Sequence, residues 1–334
     1  LTSPFEIDGE EIVASASVGI AFGGPVYHNA DELLRDADIA MYRAKAMGKA
    51  RSVVFDDGMR VQTVARFHLE TELRHAVARG ELVVHYQPIV TMPDHELHGF
   101  EALVRWNHPA LGLIQPGQFI ALAEETGAIS GIGEWVLREG CRQLRAWHER
   151  FPDRASLTLS VNLSPRQLSA PDLVAQVQAA LAETGVAPAS VRLEITESAL
   201  MQDVDAAIET LTRLKTLGVS LHVDDFGTGY SSLSYLQRFP VSSLKIDRSF
   251  VSRMESHSQD AQIVRTIVSL AHSLGLDVIA EGVETAGQGA QLKALQCRFA
   301  QGHLFSEAVD ATAAEALVRG TRPLRVTPRS GLSA

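Results

Sequence analysis

Between Leu82 and Phe305 the sequence keeps returning to one pattern: a short β-branched and apolar run, followed in most cases by a stretch with apolar residues at helical spacing. The runs are Leu82 to Val90, Gly99 to Trp106, Leu157 to Leu163, Val191 to Glu197, Ser220 to Asp225, Ser243 to Asp247, Asp277 to Glu281 and Phe299 to Phe305. Eight strands separated mostly by helices predict an α/β fold, a TIM-like (β/α)8 barrel. Successive side chains along a strand point to opposite faces. His85 and Gln87, Glu101 and Arg105, Ser160 and Asn162, Arg192 and Glu194, His222 and Asp224, and Lys245 and Asp247 therefore each share a face. The alternate positions are apolar: Val84, Leu159, Val161, Leu193, Ile195, Leu221, Val223, Leu244 and Ile246. They are expected to pack on the surrounding helices while the polar face points into the barrel. Polar groups there are costly unless paired or at the mouth, where the function of such barrels collects.

A chain of 334 residues is long enough for a barrel of ~250 residues and an appendage. With 46% hydrophobic and 21% charged residues it has ample material for a core and no signature of disorder. No apolar run approaches the ~18 residues of a membrane-spanning helix. A net charge of −10 argues against binding a nucleic-acid polymer, which calls for a basic face. A phosphate ligand stays open, because divalent cations reverse the sign of an acidic cleft. Cys141 and Cys297 lie far apart with no second thiol or histidine at ligand spacing, as expected of free thiols in a cytoplasmic protein. The opening Leu1-Thr2-Ser3-Pro4-Phe5 has neither an initiator methionine nor a signal pattern. It reads as an internal cut in a longer polypeptide, whose upstream part would carry a sensor and, where membrane-anchored, the anchor.

Ahead of the barrel, Ile12 to Phe22 reads as a strand, Asp31 to Met47 as a helix stopped by Gly48, and Arg51 to Phe55 as a second strand. The cluster Arg43, Lys45, Lys49 and Arg51 lies in and just after that helix's last turn; it could suggest a phosphate site, but cations there complement the dipole in any case. Arg60 to Arg79 carries a helical pattern that ends at Gly80. The tracts Ala16-Ser17-Val18-Gly19-Ile20-Ala21, Ala37 to Lys45 and Gly48-Lys49 resemble the C-terminal portion of a GGDEF (diguanylate cyclase) domain. The signature hairpin of that family is absent, so the resemblance implies an incomplete α+β remnant without cyclase activity. The expected organisation is residues 1–57 for the remnant, 58–65 for a connector, 66–320 for the barrel and 321–334 for a loose tail.

Chemistry concentrates at the strand ends. Asp224-Asp225 places adjacent carboxylates where a loop broken by Gly227 and Gly229 begins; such a pair is either solvated or holds a cation. Collected from separate strands, Glu101, Asn162, Glu194, Asp224, Asp225 and Glu281 form an all-oxygen set, which favours Mg²⁺ or Mn²⁺ over zinc. Two such ions ~3.5–4 Å apart can clamp a phosphodiester and activate water. Each acid alone reads as a cap or salt-bridge partner; their convergence on one barrel mouth is what points to metal. A glycosidase needs two carboxylates and no metal cage. Asp225-Phe226-Gly227 imitates a kinase tract, but no H-R-D loop accompanies it. His95-Glu96-Leu97-His98, after Pro93-Asp94, reads as a turn between the first two strands.

Seven tracts occur in order: Phe100 to Trp106, Ser160 to Pro165, Leu193 to Glu197, Asp224 to Leu233, Leu244 to Asp247, Ala280 to Glu284, and Gln301-Gly302. Together they resemble the motif set of EAL-domain cyclic-di-GMP phosphodiesterases, over roughly Phe67 to Val309. The resemblance implies cleavage of cyclic di-GMP to linear pGpG with two Mg²⁺ or Mn²⁺ ions per site. Glu101, Asn162, Glu194 and Asp224 would ligate one ion, and Asp224, Asp225 and Glu281 the other. Lys245 would hold the attacking water, with Glu281 in the same catalytic group, and Glu284 and Gln301 would complete the polar shell around the second ion and the water. Gln87, Leu103, Arg105 and Asp247 are the expected ligand contacts, and Glu197 would brace the loop after the aspartate pair. The resemblance further implies a homodimer through that loop and its following helix. The alternative is a non-catalytic cyclic-di-GMP receptor signalling through the connector helix. Ser242, His303 and Glu307-Ala308 depart from the common pattern, and none of them removes an expected metal ligand.

Overall fold

The computed structural model of the chain describes residues 5–7, 10–92, 94–229 and 233–320, in two units that part between Arg74 and His75. In the first unit, β1 (Phe5–Ile7) and β2 (Glu10–Ile12) form an antiparallel pair, and β3 (Val18–Ile20) pairs in parallel with β4 (Ser52–Val54). The expected strand from Ile12 to Phe22 is thus two strands with different partners. Its even alternation of small residues carries no mark of where pairing changes. Helix α1 (Ala30–Ala46) crosses between β3 and β4. Asn29 caps it by accepting from the Glu32 N–H at 2.9 Å, and Arg43 and Lys45 occupy its last turn. Its buried Asp36 pairs with Arg60 of α2 (Asp57–Ala76). That helix runs across the boundary between the units.

The second unit is the barrel. Strands β5 (Leu82–Thr91), β6 (Leu97–His108), β8 (Thr158–Leu163), β9 (Val191–Thr196), β10 (Ser220–Phe226), β11 (Ser243–Ile246), β12 (Asp277–Ala280) and β13 (Phe299–Gln301) close into one sheet, and β7 (Gly112–Ile114) extends β6 as a hairpin. From β6 round to β13 the barrel pairs are parallel, but β5 is antiparallel to both its neighbours, β6 and β13. A turn without a helix joins β5 to β6, so the first strand runs against the other seven. Its early residues therefore stand at the mouth and its late ones at the floor. Of the tract expected as a turn there, His95 is in the turn with φ +53°, whereas Leu97 and His98 already belong to β6.

The alternation holds around the barrel. Leu159, Val161, Leu193, Ile195, Leu221, Val223, Leu244 and Ile246 are buried, and Ile89, Ile279 and Phe299 form an apolar cluster on the opposite, inner face. Helix α4 (Ala128–Arg150) supplies the outer layer where β5, β6 and β8 meet it, burying Ile129, Ile132, Val136, Leu144 and Trp147. Trp147 meets Tyr86 edge-on at 4.9 Å between ring centroids. The closing helix, α13 (Ala311–Arg319), follows a bridge in which the Tyr86 N–H donates to the Val309 carbonyl at 2.7 Å. Between α4 and α13 the chain adds α5 (Pro165–Leu168), α6 (Leu173–Thr184), α7 (Glu197–Leu200), α8 (Val204–Thr216), α9 (Leu233–Leu236), α10 (Arg248–Arg253), α11 (Ser258–Ser273) and α12 (Ala286–Ala294), and α3 (Pro116–Thr126) precedes α4. Cys141 and Cys297 are free and buried. Among the described residues no helix is long and apolar enough to cross a membrane. The expected tail, 321–334, and residues 230–232 of the expected dimer loop lie outside the described residues.

Candidate active site

Three of the strands end on one local device. The last inward residue before the mouth is polar, and the inward residue two positions on caps a short helix: Asn162 then Ser164 before α5, Glu194 then Thr196 before α7, Lys245 then Asp247 before α10. Each cap accepts from a backbone N–H of its helix, so the chain leaves the barrel sharply and the polar side chain stays inside. Asp247, an expected ligand contact, is the cap of α10: its Oδ1 accepts from the Ser249 N–H at 3.0 Å and from the Ser249 hydroxyl.

At the centre stands Lys245, 1% exposed. Its Nζ lies 2.6 Å from Glu194 Oε2 and 2.6 Å from Glu281 Oε1, 3.2 Å from Asp224 Oδ1 and 3.6 Å from Glu101 Oε2. Burial opposes its charge, but the carboxylates of Asp224, Glu101, Glu194 and Glu281 outweigh that and hold the ammonium well above the ordinary lysine range. Around it the acids differ. Burial pushes Glu194 up to about 8, and Glu101 and Asp224 add to the push. Burial also raises Glu281 well above its usual range. Glu101 is held below the usual range despite its burial, because the charge of Lys245 lies close and Gln301 and Asn162 both donate to it. Asn162 Nδ2 reaches Glu101 Oε1 at 2.7 Å, and Gln301 Nε2 reaches Glu101 Oε2 at 2.6 Å and Gln87 Oε1 at 2.8 Å. Gln301, expected in the polar shell around the second ion and the water, is joined here to Glu101 and Gln87.

Adjacent residues of a regular strand point opposite ways, yet Asp224 and Asp225 serve one site. The pairing of β10 with β11 shifts between Val223 and Phe226, and Asp225 takes φ +52°. This bulge turns the second carboxylate back toward the first, with the Asp225 N–H donating to Asp224 Oδ1 at 3.0 Å. Ligand atoms of Asp224, Asp225 and Glu281 then lie within 4.8 Å of one another. Burial, Asp224 and Asp247 push the Asp225 carboxyl up to about 6. The loop beyond is held by Glu197, whose Oε2 accepts from the Gly227 N–H at 2.8 Å. A Cβ on Gly229 would come within 2.6 Å of Glu197 Oε1, so a larger residue there would displace the bracing carboxylate.

The last strand turns at Gly302, φ +156°, where a Cβ would meet the Val283 carbonyl oxygen at 2.2 Å. That close passage seats Gln301 inside the barrel. Glu284 lies half-buried after β12, its N–H donating to Gln288 at 2.7 Å. Arg105 is buried, with its Nη1 donating to the Val104 carbonyl at 2.9 Å. A cavity of about 280 Å³ opens from the mouth and is lined by Leu103, Ile120, Ile132, Asn162, Asp224 and Asp225. Its lining is apolar at Leu103, Ile120 and Ile132 and acidic at Asp224 and Asp225. Ser242, one of the departures, accepts from Lys215 Nζ at 2.8 Å, away from this cavity. The donor set of Glu101, Asn162, Glu194, Asp224, Asp225 and Glu281 is oxygen throughout, converges from four strands and the end of a fifth, and fits a hard divalent cation.

A family model described as EAL domain matches residues 70–308, the whole span of this barrel and its mouth. The chain belongs to the EAL domain family. The model for the diguanylate cyclase GGDEF domain matches residues 1–51, ahead of the EAL domain. Cyclic di-GMP phosphodiesterase NbdA of Pseudomonas aeruginosa is 42% identical over 322 residues, covering 96% of this chain and 41% of the relative. MucR of the same organism, a bifunctional diguanylate cyclase/cyclic di-GMP phosphodiesterase, is 44% identical over 311 residues, covering 93% and 45%. The chain thus spans less than half the length of these relatives. A solved structure of the PaMucR phosphodiesterase in its c-di-GMP complex superposes with a TM-score of 0.72 at 47% identity, covering 74% of this chain and 99% of that one.

Beneath the EAL mouth lies a second polar layer to which the sequence reading gave no role. Arg192 Nη2 donates to His98 Nε2, and the His98 ring stacks on Phe299 at 4.3 Å. Burial first, then Arg192, push His98 down to about 4, so it is a neutral acceptor. The period-two pattern put Arg192 and His222 inside; the partner of Arg192, His98, comes from β6, beyond the neighbouring strand β8.

Proposed function

We propose that this EAL domain hydrolyses one phosphodiester bond of cyclic di-GMP, giving linear pGpG, with divalent cations as cofactor. The observation that carries the reading is the ring of Glu101, Glu194, Asp224 and Glu281 around one buried lysine, with Asp225 turned into the same site by a strand bulge. Glu101, Asn162, Glu194 and Asp224 would hold one ion, and Asp224, Asp225 and Glu281 the other. When bound, Mg²⁺ or Mn²⁺ supplies Lewis acidity and a lowered pKa for water. The rest falls to the protein. Lys245 Nζ, kept charged by its neighbours, is the donor that orients the attacking water and offsets phosphate charge. Glu281 Oε1, 2.6 Å from that amine, is the acceptor for the water's proton. Arg105 and Gln87 border the mouth as phosphate and ligand donors, and the apolar wall with Leu103 takes a base. Glu197 keeps the loop after the aspartates in place.

The names of NbdA and MucR and the c-di-GMP complex of the PaMucR phosphodiesterase support the substrate assignment. Incubation of the purified chain with cyclic di-GMP and Mn²⁺ or Mg²⁺, followed by chromatography, is expected to show pGpG that disappears with EDTA. Tight binding without metal-dependent product would overturn the enzymatic reading and leave a receptor.

A further inference from the structure

The lower polar layer contains complementary side chains that face each other without a partner. Glu194 spends Oε2 on Lys245, while its Oε1, fully buried, accepts no hydrogen bond. Facing it at 4.0 Å is Nδ1 of His222, 4% exposed and also without a partner. The two residues are direct neighbours in the β9–β10 register, and period two puts both inside the barrel. Around them Ser160 Oγ, Ser243 Oγ and Arg192 Nη1 are likewise buried and unpaired, on three of the four adjacent strands β8 to β11. A layer of native side chains left unpaired is unusual, because each such atom costs roughly 1–3 kcal/mol.

We propose that His222 is a positioning residue: its Nδ1–H holds the inner oxygen of Glu194, so that the outer oxygen is presented to the mouth. This rests on the reading of Glu194 as a metal ligand. Closing 4.0 Å to an ordinary N–H···O distance takes a change of about 1 Å at either side chain. With Glu194 ionised as a metal ligand, the neutral ring carries its proton on Nδ1, since a lone pair aimed at a carboxylate would repel it. Carboxylates that bind metal are commonly oriented by a hydrogen bond to the oxygen not used, and losing that partner typically costs about 10–100-fold in metal affinity. Arg192 Nη2 is taken by His98, and His222 Nδ1 is the atom that faces Oε1 at 4.0 Å.

The test is Mn²⁺ affinity without substrate, read from the electron paramagnetic resonance signal of free Mn²⁺, for the parent chain, His222→Asn, His222→Gln and His222→Leu. Asparagine sets its amide nitrogen where Nδ1 stands, whereas glutamine sets it near Nε2. His222→Asn is therefore expected within about threefold of the parent, and His222→Gln and His222→Leu about 10–100-fold weaker. Parental affinity in His222→Leu would overturn the proposal. Denaturation in EDTA reports whether each variant folds; if His222→Leu does not, equal affinity of His222→Asn and His222→Gln overturns it. Absence of cyclic di-GMP turnover by the parent would instead defeat the phosphodiesterase reading and leave the Mn²⁺ ranking to be judged by itself.

Discussion

Lys245 has one positive charge for four carboxylates, and that asymmetry decides what its loss does. Removing it leaves buried acids facing one another, a defect that typically costs about 3–5 kcal/mol. A divalent ion replaces the missing charge, so Mn²⁺ should recover more stability in the variant than in the parent. Lys245→Ala is therefore expected to lower the denaturation midpoint in EDTA and regain part of it with Mn²⁺. Its turnover should still fall about 10²- to 10³-fold, because the donor aimed at the reacting oxygens is gone. Near-parental turnover in a steady-state assay would remove Lys245 from the chemistry. Most of these residues were legible in the sequence for one physical reason: inward polar positions on a barrel strand repeat every two residues and stand out against apolar alternates. What periodicity cannot encode is contact across the barrel. The family resemblance singled out Gln301 but not its hold on Glu101, and periodicity put Arg192 inside without naming its partner.

Two elements depart from the regular pattern, and both serve the mouth. Strand β5 was legible as a strand but not as an inverted one, because direction is set by the turn before β6 and not by side-chain alternation. Its inversion brings Gln87 opposite Glu101 in the register. The bulge in β10 was equally hidden: a regular strand would have sent Asp225 outward. A non-glycine residue at φ +52° carries a local cost that aspartate tolerates better than most, and here like charges on Asp224 and Asp247 add to it. Glycine at this position keeps the turn and removes both penalties. Asp225→Gly is expected to raise stability in EDTA by about 1 kcal/mol while weakening Mn²⁺ binding, a trade typical of functional strain. Urea denaturation and Mn²⁺ titration of the same preparation would check it. A destabilised variant would mean that the carboxylate contributes to the metal-free fold.

At the scale of the molecule, barrel closure and metal binding draw on the same strands. The pairs that shut the sheet, β5 with β6 and β5 with β13, lie wholly inside the second unit. So do the Tyr86–Val309 bridge and the ion pair of Arg150 on α4 with Glu315 on α13 at 2.9 Å. A fragment of residues 57–320, which keeps α2 whole, is therefore expected to fold alone and unfold in one transition. Metal should act on that transition by mass action. Glu101, Glu194, Asp224 and Glu281 come from four separate stretches of the chain, so the unfolded polypeptide has no assembled site and the ion binds only the folded state. At one hundred times its dissociation constant Mn²⁺ would add about 2.7 kcal/mol. For a domain of this size that is a rise of roughly 5–10 °C in midpoint. Glu194→Gln removes a charge from the centre of the site and should abolish most of the rise while leaving the single transition. Calorimetry of the fragment with and without Mn²⁺ decides it: two resolved transitions would show that the barrel is not closed without residues 1–56. An undiminished rise in Glu194→Gln would place the stabilising ion elsewhere.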